Sequence, residues 1–408
     1  MVMKQTQTKL FDFSDVGLDF CAGSKNLFPD RFKRMLALGY NSQTVASVSV
    51  AGNQVTFNYG VSHGYVADRV LKVGSGPLAA IHGGEFVIDS VTATSLTVTI
   101  DDAPISIAGG FTTIVAPLGW ELVYEKTNIQ VYKFKQLDES DIYLRVCFQN
   151  QSARRNCLSP CIGKSFDPAT GFIIDLNAID ENKAITVPDN GFKWEFQVHA
   201  SAIYNDYTYA QGYSTYGKGQ VVGSLYHLAF LSNTGPSAGY GSINAILPTL
   251  THDYDSLRYP ILIGSTYGSI SAGNNGTTLT YAQAFIASTP VIFQVTSTTS
   301  GVASYIDAYP QAINSFLSTA LDGFNTTTAE PIPLYMRNNG QFLGMIAAGA
   351  YRLKYAATNA PSITPTLTPS LTSDIDLNSN ILVHSLSGGN SAQYAVFYAF
   401  PIEEIKIA

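Results

Sequence analysis

The spacing of apolar residues near the N-terminus predicts one short helix. Phe28, Phe32 and Leu36 recur at intervals of four and place one apolar stripe along a helical surface. Gly39 follows as a residue suited to the left-handed conformation in which helices often end. The pattern therefore predicts a helix over about residues 29–38, docked by its stripe on a β domain.

After residue 42 the apolar period changes to two, which is typical of strands. Short alternating runs, separated by glycine-containing turns, lie at residues 44–50, 54–59, 69–73, 85–88 and 95–100. They indicate a small inserted β-barrel or sandwich module over residues 44–103. We expect an N-terminal segment with the helix before it (1–43) and a core β-sandwich after it (104–235).

Alternating runs continue to the end of the chain and predict a C-terminal β region over residues 236–408. In the run at 141–149, Leu144, Val146 and Phe148 share the predicted core face. Arg145 falls on the other face, which we expect to be exposed, with a buried charge that has a partner as the alternative. The predicted fold class is mainly β, with several antiparallel sandwich or barrel domains and one short N-terminal helix.

A tyrosine-rich segment stands out in the middle of the chain. Its five tyrosines fall within thirteen residues, among glycines and small polar residues: Tyr204, Tyr207, Tyr209, Tyr213 and Tyr216. Tyrosine buries a large area at a low cost in rotamer entropy, which suits a contact loop. Three interpretations stay open: a twisted β-hairpin, a loop that contacts another protein, and a loop that contacts a glycan.

A proline-spaced segment near the C-terminus predicts an extended arm or linker. Pro361, Pro365 and Pro369 recur every four residues within residues 361–373. Proline lacks the N–H that helices and central strands require, so this spacing disfavours both.

The low fraction of charged residues favours a protein that belongs to a large, permanent assembly. Charged residues make up 13 % of the chain, against roughly 25 % in ordinary globular proteins. The formal net charge of −7 argues against nucleic-acid binding, which needs a basic face. No membrane span and no signal peptide are expected from the apolar runs, so we expect a chain made in the cytosol. A neutral soluble β protein remains the alternative.

The sequence contains no recognisable catalytic motif, so we predict neither an enzyme nor a cofactor. The sequence lacks nucleophile-elbow, phosphate-loop and zinc-protease motifs. Cys157 and Cys161 have the spacing of half a zinc site, but no second pair of ligands follows. His63, His82 and His252 are best explained as polar loop residues. Free thiols and no metal are therefore expected.

Several segments together carry a family resemblance. They are the helix, the small β module, and a block that contains Pro117, Gly119, Trp120, Glu121, Thr127, Asn128, Val131, Tyr132, Leu144, Arg145 and Val146. In this order they resemble a family of structural proteins of tailed-bacteriophage virions. The resemblance covers most of residues 20–235 and, more thinly, residues 330–408. It departs at Lys133, where the family has arginine, and residues 236–330 have no counterpart.

The resemblance implies a non-enzymatic virion component that binds copies of itself and other virion proteins. A small inserted β module is typical of tail and baseplate proteins, so it implies that position first, with the neck or the capsid surface as alternatives. It offers no catalytic residue to transfer. Two other functions remain hypotheses: a receptor-binding protein that holds host-surface glycans, and a polysaccharide-degrading enzyme.

Overall fold

The chain is mainly β, with several antiparallel sheets and a short N-terminal helix, as the fold-class prediction states, and it also contains a second helix that was not predicted. The computed structural model describes residues 8–74, 81–152, 154–188, 192–196, 206–233, 241–267, 279–293, 329–353, 366–369, 371–374, 377, 379–387 and 395–402.

The predicted N-terminal helix is confirmed. After strand β1 (Lys9–Asp12), helix α1 (Phe28–Lys33) continues as a π-helical segment (Arg34–Leu38) and ends at Gly39, whose φ is +75°. Phe28 and Phe32 are buried, and the Phe32 ring stacks on Phe230 with a centroid distance of 5.4 Å. The apolar stripe therefore enters the core, where aromatic pairing adds to the gain from burial.

Seven strands form a closed barrel with six positions around its circumference, because two of the strands are parts of one continuous run. They are β2 (Tyr40–Thr44), β3 (Ser47–Ala51), β4 (Gln54–Asn58), β5 (Val70–Val73), β6 (Glu85–Val91), β7 (Ser95–Thr99) and β8 (Thr112–Val115), paired in the order β2-β8-β5-β6-β7-β4-β3. Strands β2 and β3 form one run, in which Val45 N donates to Phe111 O and Ala46 N to Asn58 O. Because this run bonds to β8 on one side and to β4 on the other, the ring of pairings closes.

A five-stranded sheet follows the barrel. It contains β9 (Glu121–Lys126), β10 (Ile129–Lys135), β11 (Asp141–Phe148), β12 (Cys157–Gly163) and β13 (Trp194–Glu195), in the order β13-β12-β11-β10-β9. The expected exposure of Arg145 is wrong, because its exposed fraction is 0 %. Residues 171–185, which include a 3₁₀ turn at Asp180–Asn182, cover the face of the sheet on which Arg145 lies. Carbonyl groups of this segment accept hydrogen bonds from the Arg145 guanidinium.

The largest sheet has ten strands and contains a second ring. After helix α2 (Tyr209–Tyr216) come β14 (Gly219–Gly223), β15 (Leu228–Asn233), β16 (Gly241–Leu247), β17 (Thr249–Thr251), β18 (Ile261–Tyr267), β19 (Leu279–Ile286), β20 (Thr289–Ile292), β22 (Pro333–Met336) and β23 (Phe342–Ile346), with a 3₁₀ turn at Asp255–Leu257. Their order is β1-β14-β15-β16-β18-β19-β20-β22-β23-β17. Strands β16 and β17 are two parts of one run, interrupted at Pro248. The pairings lead from β16 through β18, β19, β20, β22 and β23 to β17, so the ring closes on the run in which it began.

The C-terminal sheet contains β21 (Ala329–Glu330), β24 (Tyr351–Leu353), β25 (Leu371–Asp374), β26 (Ser379–Ser387) and β27 (Ala395–Pro401). It packs closely on the ten-stranded sheet, where His384 Nε2 lies 2.9 Å from Ser242 O. A Cβ atom at Gly241 would lie 1.7 Å from Ser385 O, so only glycine permits this approach. One large cluster of buried apolar residues includes residues of the barrel and of the sheets. The predicted domain boundaries stay a prediction.

Candidate interaction surfaces

Residues Tyr209–Tyr216 of the tyrosine-rich segment form helix α2, so the hairpin interpretation is wrong for these residues, while contact with another protein or with a glycan stays a prediction. Tyr204 lies outside the described residues. Helix α2 begins after Thr208, whose Oγ1 accepts from Gln211 N, while Gln211 Oε1 accepts from Thr208 N at 3.0 Å. This reciprocal capping box satisfies two of the donors that a helix start leaves unpaired.

The helix faces divide the tyrosines into two groups. Tyr209 and Tyr216 are buried, with exposed fractions of 2 % and 1 %, whereas Tyr213 is half-buried and Tyr207 is 38 % exposed. A Cβ atom at Gly212 would lie 2.3 Å from Cys21 Sγ, so the helix sits tightly on the N-terminal segment. Tyr209 and Tyr216 therefore belong to the core, while a contact role for Tyr207 and Tyr213 stays a prediction.

One described residue of the predicted arm, Leu367, contacts this helix. Pro361 and Pro365 lie outside the described residues, and Pro369 follows an exposed stretch that includes Leu367. The Tyr209 hydroxyl donates to Leu367 O at 3.1 Å. The end of the predicted arm is strand β25, which pairs with β26. That end is therefore an edge strand of the chain's own sheet.

Most residues that suggested chemistry have structural roles. All four cysteines are buried and none of them forms a disulfide, and burial raises the pKa of the Cys161 thiol to about 12. Within the described ranges, no three His, Cys, Asp or Glu side chains lie together in a way that could hold a metal ion. His63 is buried in the barrel, where its Nδ1 accepts from Tyr65 N at 3.0 Å.

Ser224 and His227 form a Ser–His pair like the one found in catalytic triads. This pair was not predicted from the sequence. Ser224 Oγ lies 2.7 Å from His227 Nδ1 in the β14–β15 turn. Both residues have an exposed fraction of 0 %, and burial lowers the pKa of His227 to about 4. The imidazole is therefore neutral and out of reach of a substrate, and the pair supports the turn.

A cluster of buried charges joins the barrel to strand β1 and to the turn that follows it. Asp15 accepts from Arg69 through both carboxylate oxygens, at 2.8 and 2.9 Å, and from the Tyr40 hydroxyl at 2.7 Å. Burial, followed by the Asp15 carboxylate, raises the pKa of the neighbouring Asp12. The cluster is a structural joint, since Asp15 and Arg69 are both at most 5 % exposed.

A groove of about 400 Å³ lies between the five-stranded sheet and the second ring. Its lining includes Lys135, Asp138, Tyr226, Leu250 and Arg258. The charged and hydroxyl groups already have partners: Tyr226 donates to Glu139 at 2.6 Å, and Arg258 pairs with Asp253. The volume is in the range of small-ligand sites, but the groove presents no activated nucleophile.

The outer surface of the barrel carries a face built from nine uncharged side chains, which we call the neutral face, and its residue Thr99 donates to the Asp89 carboxylate of the neighbouring strand at 2.7 Å. Outward residues of β3, β4 and β7 are paired in three rows: Ser47, Asn58 and Ser95; Ser49, Thr56 and Thr97; Ala51, Gln54 and Thr99. All are exposed or half-buried. Gln54 Nε2 donates to Thr99 Oγ1 at 2.7 Å, and the hydroxyls of Thr56 and Thr97 lie 3.1 Å apart. No Lys, Arg, Asp or Glu occurs from residue 35 to residue 67.

Among the helices that the structure describes, none combines the length and the apolar character needed to span a bilayer. No protein-family model matches the sequence, and no curated protein matches it. A solved structure named Phage phi92 endosialidase is similar with a TM-score of 0.14 and 8 % identity, over 90 % of this chain and 51 % of that chain. This chain thus spans about half of that protein's length, and a TM-score this low demonstrates no shared fold.

Proposed function

We propose that the chain is a non-enzymatic structural component of a tailed-bacteriophage virion, assembled in the host cytoplasm and placed in the tail or baseplate. It works through lasting contacts with copies of itself and with other virion proteins. Neck and capsid-surface positions are the alternatives within the same class. The family resemblance of residues 20–235 motivates this class, and the neutral face is the observation that supports it.

The neutral face suits a covered surface better than a free one. Roughly 25–35 % of the surface of a small soluble protein is charged, whereas none of the nine side chains of this face carries a charge. Cores of protein interfaces are depleted in charged residues because a buried, unpaired charge is costly. Ser, Thr, Asn and Gln can pair across such an interface and also remain soluble before assembly.

Light scattering on the purified chain tests self-association. We expect an oligomer whose mass stays constant between about 0.1 M and 1 M salt, since uncharged contacts are insensitive to screening. Thr56→Lys places a charge at the centre of the neutral face and should dissociate the oligomer. Thr186→Lys, at an exposed loop position, should leave the mass unchanged. A monomer at every concentration, or equal behaviour of the two variants, would contradict the proposal.

A second candidate function, glycan binding at the host surface, is favoured by the groove beside Tyr226 and Arg258. Leu250 is 48 % exposed there, so Leu250→Trp should fill the groove without disturbing the core. If the groove binds glycans, this variant assembles normally but loses adsorption of the labelled protein to host cells. Unchanged adsorption by the variant would remove this candidate.

A further inference from the structure

Strand β3 has a hydrogen-bonding edge that pairs with no other strand among the residues that the structure describes. It pairs with β4 in register from Ser47–Asn58 to Ala51–Gln54, which closes a two-residue turn. In such a hairpin the closing pair and every second pair bond each other, so the intervening residues point their N–H and C=O groups outward. These residues are Val48 and Val50, and no hydrogen bond joins their backbone to another described segment.

The sequence of β3 also lacks the lysine, proline and bulge that keep many edge strands from pairing. Natural proteins protect such edges with lysine, proline, bulges or very short strands. Strand β3 reads Ser-Val-Ser-Val-Ala over Ser47–Ala51, and its pairing with β4 shows no register shift. Ser47, Ser49 and Ala51 are exposed, while Val48 and Val50 pack partly on the barrel core. Both the position and the sequence of β3 therefore favour the addition of another strand.

We propose that β3 pairs with β3 of a second copy, antiparallel about a two-fold axis at Ser49. This inference rests on the proposed function, because it specifies the contact through which the chain binds itself. Residues Val48-Ser49-Val50 read the same in both directions, so each Val48 faces the other copy's Val50 and forms two hydrogen bonds with it. The pairing is isologous and closes on itself, as symmetric dimers require.

A second copy fits this edge better than a charged partner. The strand has no charge with which to attract such a partner and none with which to repel its own copy. Pairing also joins two neutral faces into one continuous surface of six strands. Each outward N–H and C=O group then gains the partner that a buried backbone group needs.

A cysteine at the proposed axis tests the pairing. Ser49 would face its own copy in a non-hydrogen-bonded pair, where the Cα atoms lie about 4.5 Å apart, and disulfides span about 4.4–6.8 Å between Cα atoms. Ser49→Cys should therefore form a covalent dimer under mild oxidation and revert with a reductant. The four native cysteines are buried and should not compete.

Thr56→Cys is the matched control, on the same face but one strand further from the axis. Its copies would lie three strand spacings apart, about 14 Å, and should not cross-link. A non-covalent oligomer in light scattering, without cross-linking of the Ser49→Cys variant, would overturn this pairing and leave the proposed function intact. A monomeric chain would overturn both. Equal cross-linking of the two variants would contradict the proposed register. Ser49→Lys should abolish the dimer while its circular dichroism stays that of the parent chain.

Discussion

Replacing Arg69 with methionine is expected to lower the free energy of unfolding by about 3–5 kcal/mol, as breaking a buried ion pair does. The Arg69–Asp15 side chains are only 4 % and 5 % exposed. Without the guanidinium, the Asp15 carboxylate stays buried beside Asp12 and loses the ion pair that it has among the described residues. Urea unfolding followed by circular dichroism measures the loss.

The partner variant separates the ion pair from simple loss of packing. Asp15→Asn in the Arg69→Met background removes the uncompensated carboxylate and should recover part of the loss, so the two changes are less than additive. Lys33→Met removes an ion pair to Glu125 whose side chains are 21 % and 41 % exposed, and should cost less than about 1 kcal/mol. Equal losses from Arg69→Met and Lys33→Met would contradict the assigned role of the joint.

Arg145→Met should cost about 2–4 kcal/mol, because the carbonyls that it serves lose charged donors in a buried site. Arg145 donates to Gly171 O at 3.0 Å and to Ile185 O at 2.7 Å, and its guanidinium lies 5.6 Å from the centroid of the Phe172 ring. No carboxylate forms an ion pair with it in the described part of the chain. The residue therefore fastens the covering segment to the five-stranded sheet.

Limited proteolysis together with urea unfolding checks this prediction. Arg145→Met should open the segment around residues 171–185 to cleavage before the sheets unfold. Lys183→Met, in the same segment, removes a contact to Asp180, whose side chain is 92 % exposed, and should change the free energy by less than about 1 kcal/mol. Unchanged cleavage in Arg145→Met would show that the segment is held by other contacts.

The elements that local patterns determine were predictable from the sequence. The helix at Phe28–Lys33 follows from its apolar spacing, and its end follows from Gly39. The barrel strands follow from alternation, because buried residues such as Val55 and Phe57 alternate with polar ones in a sheet that is wet on its outer side. Such signals lie within a few residues and do not depend on the rest of the fold.

Features that depend on distant segments were not predictable. Closure of the second ring rests on contacts such as the hydrogen bond from Ala347 N to Pro248 O at 2.8 Å, which strand alternation does not encode. The exposure predicted for Arg145 failed because β11 is covered on both faces, with the burial pattern of a central strand. Alternation identifies two faces and does not say whether both are covered.

The tyrosine-rich helix was missed although a local signal for it exists. Thr208 and Gln211 have the spacing of a capping box, which marks the start of a helix. The β-favouring tyrosines and the glycines outweighed that signal. Gly212 is present because the helix meets Cys21 closely, and this contact between distant segments could not be predicted from the sequence.

We propose that this chain acts as a repeated structural component whose uncharged surfaces are covered by neighbouring subunits. Quantitative mass spectrometry of purified virions, of the tailed-phage class in which the proposed function places the chain, tests this proposal most directly. We predict that the chain is present in several copies per particle and remains bound after washing with high salt. Its absence from purified particles, or its complete removal by that wash, would contradict the claim.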